Sequence, residues 1–367
     1  MERVLIAIVV VFYTCAFDRM DADSHPKGVV AQEESTSPGL KELAIRKDLL
    51  VGAAVAAEPL RSDAAYRSVL AREYNVLVPE NALKFGNVHP EPERYDFSDF
   101  DEILAFAESN EMCVRGHTLV WHRQLPSWIE ERAWSRDELI EVLRAHVHAV
   151  VGQYRGRVHY WDVVNEAISD FWGPRSTIWS QVIGPDYIDM AFRFAHEADP
   201  DSLLFYNDYG TEGLGRKSTR VYELVSSLLE RGVPIHGVGL QAHINQDIPA
   251  SDELVANLRR LEKLGLQIHL TEVDVGVPQP NTEIRLLNQA ILYQRLMNSC
   301  LMVESCTAFV TWGFTDAHSW VPHFFPGLDD ALPFDRNLQP KPAYHALTAS
   351  LKATSRTETR GLTRACN

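Results

Sequence analysis

Two glutamates in this chain each close an apolar run: Glu166 follows VHYWDVVN and Glu272 follows QIHLT. A carboxylate set at the end of a buried strand is held at a rigid point. Two such groups flanking one pocket are what glycoside hydrolysis needs, because one carboxyl protonates the leaving oxygen while the other attacks the anomeric carbon or activates water. A lone glutamate among 50 Asp and Glu residues is ordinarily a solvated loop residue or a helix cap, so the case rests on its neighbours. Those neighbours are polar or aromatic at the ends of other apolar runs as well: Glu80, Asn81 and Lys84; His117 and Trp121; Asn165; Asn207, Asp208 and Tyr209; Gln241 and His243; Asp274; and Trp312. Tryptophan suits a sugar, since a flat indole packs on the apolar face of a pyranose ring, although buried core aromatics are the commoner reason for a Trp.

The elements that must position these groups can be counted. Strand candidates are LLVGAAV (49–55), NVLVPEN (75–81), MCVRGHTLVW (112–121), VHYWDVVNE (158–166), LLFYNDY (203–209), GVGLQAHI (237–244), QIHLTEVDV (267–275) and AFVTWGF (308–314). Helix-like stretches follow them. Ser98 with Asp101 and Ser135 with Glu138 read as helix starts, the second as a capping box, and Leu139, Val142, Leu143, Val147 and Val150 then form one helical stripe. Eight strand–helix alternations favour a single (β/α)8 TIM barrel in the α/β class, because parallel strands need helical crossovers and are buried on both faces. A doubly wound open sheet would ordinarily show a Gly-rich turn after its first strand, where this chain has Ala56-Ala57-Glu58-Pro59. In a barrel these strand ends gather at one face, and Glu166 and Glu272, on the fourth and seventh strands, look across its mouth.

The 367 residues are 46% hydrophobic, enough for one barrel-sized domain. Their net charge of −15, with 35 Lys and Arg against 50 Asp and Glu and no basic run, excludes nucleic acid as an expected partner and suits a neutral substrate. Residues 1–17 read as a signal peptide, with an uncleaved membrane anchor or a lipid-modified Cys15 as rivals, so the protein is expected to be secreted or else membrane-anchored. Residues 18–40 read as a disordered linker, 41–353 as the catalytic barrel and 354–367 as a disordered tail. Five cysteines are too few for a disulfide scaffold. Cys300 and Cys306 are close enough in sequence to bridge or to be two buried thiols, and spacing alone leaves both open. No zinc spacing appears, and neither metal nor cofactor is expected.

With these residues in view, the chain resembles the family 10 glycoside hydrolases, whose best-known members are endo-1,4-β-xylanases. WDVVNEA resembles the family's acid/base segment and HLTEVDV its nucleophile segment. VPENALKF, VRGHTLVWHRQLPSW, FYNDYGTEG, RGVPIHGVGLQAHI, VTWGFTDAHSW and QPKPAYHAL follow the family's order and spacing from about Leu40 to Ala349. The resemblance implies a retaining mechanism in which Glu272 is the nucleophile and Glu166 the acid/base, with His243 against the nucleophile and Asp274 behind it. It implies that Asn165 binds the sugar 2-hydroxyl, that Glu80, Asn81, Lys84, His117, Trp121 and Gln241 line the glycone side, and that Trp312 and Trp320 form aromatic walls. It also makes a Cys300–Cys306 disulfide the favoured reading. The implied partner is xylan or another β-1,4-linked plant polysaccharide, with the protein expected to be a monomer. Two departures stand out: Phe85-Gly86 where the family often has Trp-Glu, and a Phe-rich start to the loop VPHFFPGLDDALPFD after Trp320. The alternatives are a β-1,4-glucanase or mixed-linkage glucanase on the same barrel, and a polysaccharide-binding protein that has lost catalysis.

Overall fold

A computed structural model describes residues 38–245 and 248–353. The expected leader and tail, and the linker up to residue 37, lie outside them. Eight strands form the barrel: β1 (Leu50–Val55), β2 (Val76–Pro79), β3 (Cys113–Val120), β4 (Tyr160–Asn165), β5 (Leu203–Asp208), β6 (Gly237–Leu240), β7 (Gln267–Val275) and β8 (Cys306–Thr311). Each pairs in parallel with the next, and β8 pairs with both β7 and β1, which closes the sheet. A helix follows each strand: α1 (Ala64–Glu73), α2 (Ser98–Ser109), α3 (Arg136–Gln153), α4 (Tyr187–Ala198), α5 (Arg216–Glu230), α6 (Ser251–Glu262), α7 (Glu283–Leu301) and α8 (Pro342–Ala353). The expected (β/α)8 barrel is the fold.

Period-two alternation divides the strand side chains between two cores. Val51, Ala53, Leu77, Val114, Trp161, Val163, Leu204, Val238, Ile268 and Phe309 face outward and pack on the helices. Leu50, Ala54, Val76, Val78, Cys113, Tyr160, Phe205, Ala308 and Val310 fill the barrel interior. Burial on both faces explains why the strands read as near-continuous apolar runs.

The capping box at Ser135 and Glu138 opens α3, and Leu139, Leu143, Val147 and Val150 are buried, with Val142 at the margin. Ser98 is not a cap. It is the first residue of α2, and Asp96 accepts from its backbone N–H at 3.1 Å and its hydroxyl at 2.6 Å. An aspartate two residues upstream makes this local turn more readily than a serine does. The linker also ends earlier than residue 40. Leu40 is fully buried and opens a short helix, Leu40–Ile45, because its N–H donates to Glu73 Oε2 at 2.9 Å. Cys300 and Cys306 form a disulfide, Cα–Cα 5.2 Å, that ties the end of α7 to the start of β8.

Glu73, at the end of α1 and nearly inaccessible, also accepts from the Tyr344 hydroxyl of α8 at 3.0 Å. One carboxylate therefore joins the first and last segments of the ring. Glu73→Ala strands those buried donors and is expected to cost about 2–4 kcal/mol in urea unfolding, with turnover per folded molecule unchanged; an unaltered midpoint would contradict this clasp.

Candidate active site

Strict alternation alone would misplace both glutamate-bearing strand ends. Asp162 and His269 point into the barrel, so Asn165 and Glu272, three residues further on in each case, would face the helices. Register shifts intervene, between Asp162 and Val164 in the β4–β5 pairing and between Leu270 and Val273 in the β7–β8 pairing. Such bulges re-aim side chains. They turn Asn165 and Glu272 into a cleft of about 690 Å³ at the carboxyl ends of the strands. Glu166, just past β4, takes a left-handed φ of 58°, fixed by its own N–H donating to Asn207 O at 2.8 Å.

Glu272 is 4% exposed, and both of its oxygens are held. Asn207 Nδ2 donates to Oε1 at 2.7 Å, and His243 Nε2 lies 3.0 Å from Oε2. His243 Nδ1 is 2.9 Å from Asp274 Oδ2, which also accepts from Trp320 Nε1 at 2.7 Å. Burial alone would depress the imidazole, but Asp274 and Glu272 outweigh it and raise His243 to about 10. Burial likewise opposes ionisation of Glu272, yet His117 and His243 hold its carboxyl below the usual glutamate range. Beneath it, His117 Nδ1 sits 3.0 Å from Asp162 Oδ2, and Asp162 is itself paired with the fully buried Arg115.

Asn207 links the two glutamate-bearing strands. Glu272 can only accept, so the Asn207 amide nitrogen faces it. The same nitrogen donates to Asn165 Oδ1 at 2.9 Å, while Thr271 Oγ1 donates to Asn207 Oδ1 at 2.7 Å. This sequence of bonds orients Asn165 as well. Gly239 of β6 makes the room: a Cβ there would stand 2.1 Å from Asn207 Oδ1. Around Glu166, Gln241 Nε2 donates to Oε1 at 3.2 Å and Arg175 Nε to the backbone carbonyl at 2.8 Å.

The cleft walls contain the remaining expected residues. Glu80, Asn81 and Lys84 follow β2, with Lys84 Nζ donating to Asn81 Oδ1 at 2.9 Å and lying 5.2 Å from the Trp121 ring and 5.9 Å from that of Trp312. Burial lowers the Lys84 ammonium, opposed by the charges of Glu272 and then Glu80, and raises the Glu80 carboxyl, opposed by Lys84. His117, Trp121, Gln241, Trp312 and Trp320 also line the cleft; Asp274, behind His243, does not.

Sequence reasoning did not assign roles to Arg123, Gln124, Tyr209, Asn245, Phe324 and Phe325, all of which line the cleft. Phe324 and Phe325 extend the Trp320 wall at centroid distances of 4.8 and 5.5 Å, which gives the Phe-rich loop a purpose. Phe85-Gly86 has a structural reason too. Phe85 stacks on the buried His146 at 3.8 Å, and a Cβ on Gly86 would stand 2.6 Å from Gln124 O, the acceptor of the Gly86 N–H. Among the described residues no group of three or more His, Cys, Asp or Glu side chains is arranged to hold a metal ion.

The family model described as "Glycosyl hydrolase family 10" matches residues 39–350. Endo-1,4-beta-xylanase B of Thermotoga neapolitana is 47% identical over 283 residues, 77% of this chain and 82% of that protein. Endo-1,4-beta-xylanase 1 of Humicola insolens is 37% identical over 86% of this chain and 75% of its own length. Xylanase 10B of Thermotoga petrophila RKU-1, solved in complex with xylobiose, superposes with a TM-score of 0.85 at 44% identity and covers 87% of this chain and 98% of its own. A match over almost the whole barrel, joined to paired glutamates at its mouth, places the chain in glycosyl hydrolase family 10, and it is a glycoside hydrolase.

Proposed function

We infer that the protein is a retaining endo-1,4-β-xylanase that cleaves internal bonds of xylan, with Glu272 as nucleophile and Glu166 as acid/base. The observation that carries this reading is the clamp on Glu272: a buried carboxylate whose two oxygens are held by the Asn207 amide and the His243 ring, in a cleft that also contains Glu166. Glu272 attacks the anomeric carbon as the glycosidic C–O bond breaks, and the departing oxygen takes the proton of Glu166. In the second step water attacks the same carbon, gives its proton to Glu166 and releases the Glu272 carboxylate. Asn165, held against Asn207, presents its amide to the sugar 2-hydroxyl.

Relatives named as xylanases support the choice of polymer, as does the polar cluster of Glu80, Asn81 and Lys84, whose hydrogen-bonding groups suit xylose hydroxyls. Trp312 and Trp320 line the cleft, where such walls would crowd the hydroxymethyl group that distinguishes glucose. Action by a single chain fits a site whose described groups all come from one barrel. Export fits a polymeric substrate and the Cys300–Cys306 disulfide, since disulfides persist in oxidising compartments.

Initial rates on xylan are expected to exceed those on carboxymethylcellulose by a wide margin, with Glu166 and Glu272 intact. A preference for the cellulose would shift the reading to a glucanase, and binding without reducing-sugar release would indicate a protein that has lost catalysis.

The clamp also fixes a pH dependence. The folded-state value of His243, about 10, lies above its ordinary 6.5, so its contribution to stability is fully present below 6.5 and is lost as pH rises through about 10. Glu272 is held below its ordinary 4.5, so its contribution is present above 4.5 and is lost as pH falls through the depressed value. His243→Asn is therefore expected to move the acid limb of kcat/KM to higher pH and to lower its plateau by about tenfold to a hundredfold, the loss of one charged hydrogen bond. An acid limb that stays where it is would contradict the assignment.

A further inference from the structure

Just past Glu166 the chain forms a small hairpin, with Ile168 opposite Pro174 and Ser169 opposite Gly173. Its tip is Asp170-Phe171-Trp172. Phe171 is 67% and Trp172 90% exposed, the latter an almost fully solvated indole. Single exposed apolar residues are ordinary, but these two are adjacent and the tip that displays them is tied down. The Trp172 N–H donates to Ser169 Oγ at 3.0 Å, and Arg220 Nη1 donates to Phe171 O at 2.8 Å. Asp170 accepts from the Tyr209 hydroxyl at 2.9 Å and from Lys217 Nζ at 3.1 Å. Tyr209 lines the cleft, so the tip is anchored to the cleft wall itself.

Barrel order tells which end of the substrate this tip meets. Glu80, Asn81, Lys84, His117 and Trp121 lie at the ends of β2 and β3, on one side of Glu166. The hairpin follows β4 and is anchored at the end of β5, on the other side. Glu166 protonates the oxygen that departs, so the sugars of the leaving group run over β4 and β5. We propose that Phe171 and Trp172 form a stacking platform for a sugar of the leaving-group half of the xylan chain, a distal subsite beyond Tyr209. An indole face is the right chemistry for a pyranose, which presents axial C–H groups to it. The tip's one charged side chain, Asp170, is paired with Lys217, so what the tip itself offers is two apolar rings. The proposal rests on the xylanase reading and deepens it.

Length dependence is the test. For wild type, Trp172→Ala, Trp172→Tyr and Phe171→Ala/Trp172→Ala, kcat/KM is measured on xylohexaose and on an aryl xylobioside, whose leaving group contains no sugar. The ratio of the two constants should fall about fivefold to tenfold in Trp172→Ala, the size of one aromatic stacking contact. It should fall further in the double variant and be mostly restored in Trp172→Tyr. A ratio unchanged in all variants overturns the platform while leaving the xylanase reading intact. Failure of the wild type to cleave xylohexaose at all removes the xylanase reading instead. A wild-type dimer by sedimentation that Trp172→Ala converts to monomer would also overturn the proposal, because the tip would then be a contact between two copies of this chain.

Discussion

An ionised carboxylate with almost no solvent is the constraint on which this structure turns. Glu272 lies at the base of the cleft, and a buried charge survives only when it is paired and its lone pairs are filled. Asn207 fills one oxygen and a protonated His243 the other. That imidazolium is in turn a buried cation, which Asp274 balances, and Asp274 is steadied by Trp320. Removing one member leaves the next uncompensated, so the set stands or falls together. The arrangement also keeps this carboxylate charged without pushing it into water.

Closure of the barrel is what lets this set exist. Its members come from the ends of β5, β6 and β7 and the loop after β8, segments far apart in sequence that meet only because β8 returns to pair with β7 and β1. Bulges in β4 and β7 then turn the side chains that alternation would have aimed at the helices. The same interior supplies the layer below: Arg115 and Asp162, each about 1% exposed, support His117, and Gly237 and Gly239 leave space for Phe205 and Asn207. Arg115, Asp162, His117 and Asn207 are tolerated this deep in the barrel because each has a hydrogen-bond partner there.

Much of this was legible in the sequence, for physical reasons. Strands buried on both faces announce themselves as short apolar runs, and all eight appear within a few residues of expectation. The expected polar strand ends came together because barrel geometry sends every carboxyl end to one face. What could not be read depended on contacts across the fold. The role of Asn207 requires Gly239 on a neighbouring strand, and nothing local to FYNDYGTEG reveals it. Arg123 and Gln124 reach the cleft through a loop whose path depends on Gly86. The boundary at Leu40 was misplaced because its N–H is satisfied by Glu73, a residue 33 positions away. Ser98 does not cap α2 because Asp96, just before the helix, takes both its N–H and its hydroxyl, a contact the pattern of Ser98 with Asp101 does not show.

Whether Glu272 forms the covalent bond to sugar decides the mechanism. The most direct test is Glu272→Ala assayed on an aryl xylobioside with added azide, the product being identified by proton NMR. If Glu272 is the nucleophile, the variant is inactive alone, and azide entering the vacated space restores turnover and yields the α-xylobiosyl azide. Full activity without azide, or a β-configured azide product, would contradict the claim and require another group to attack the anomeric carbon.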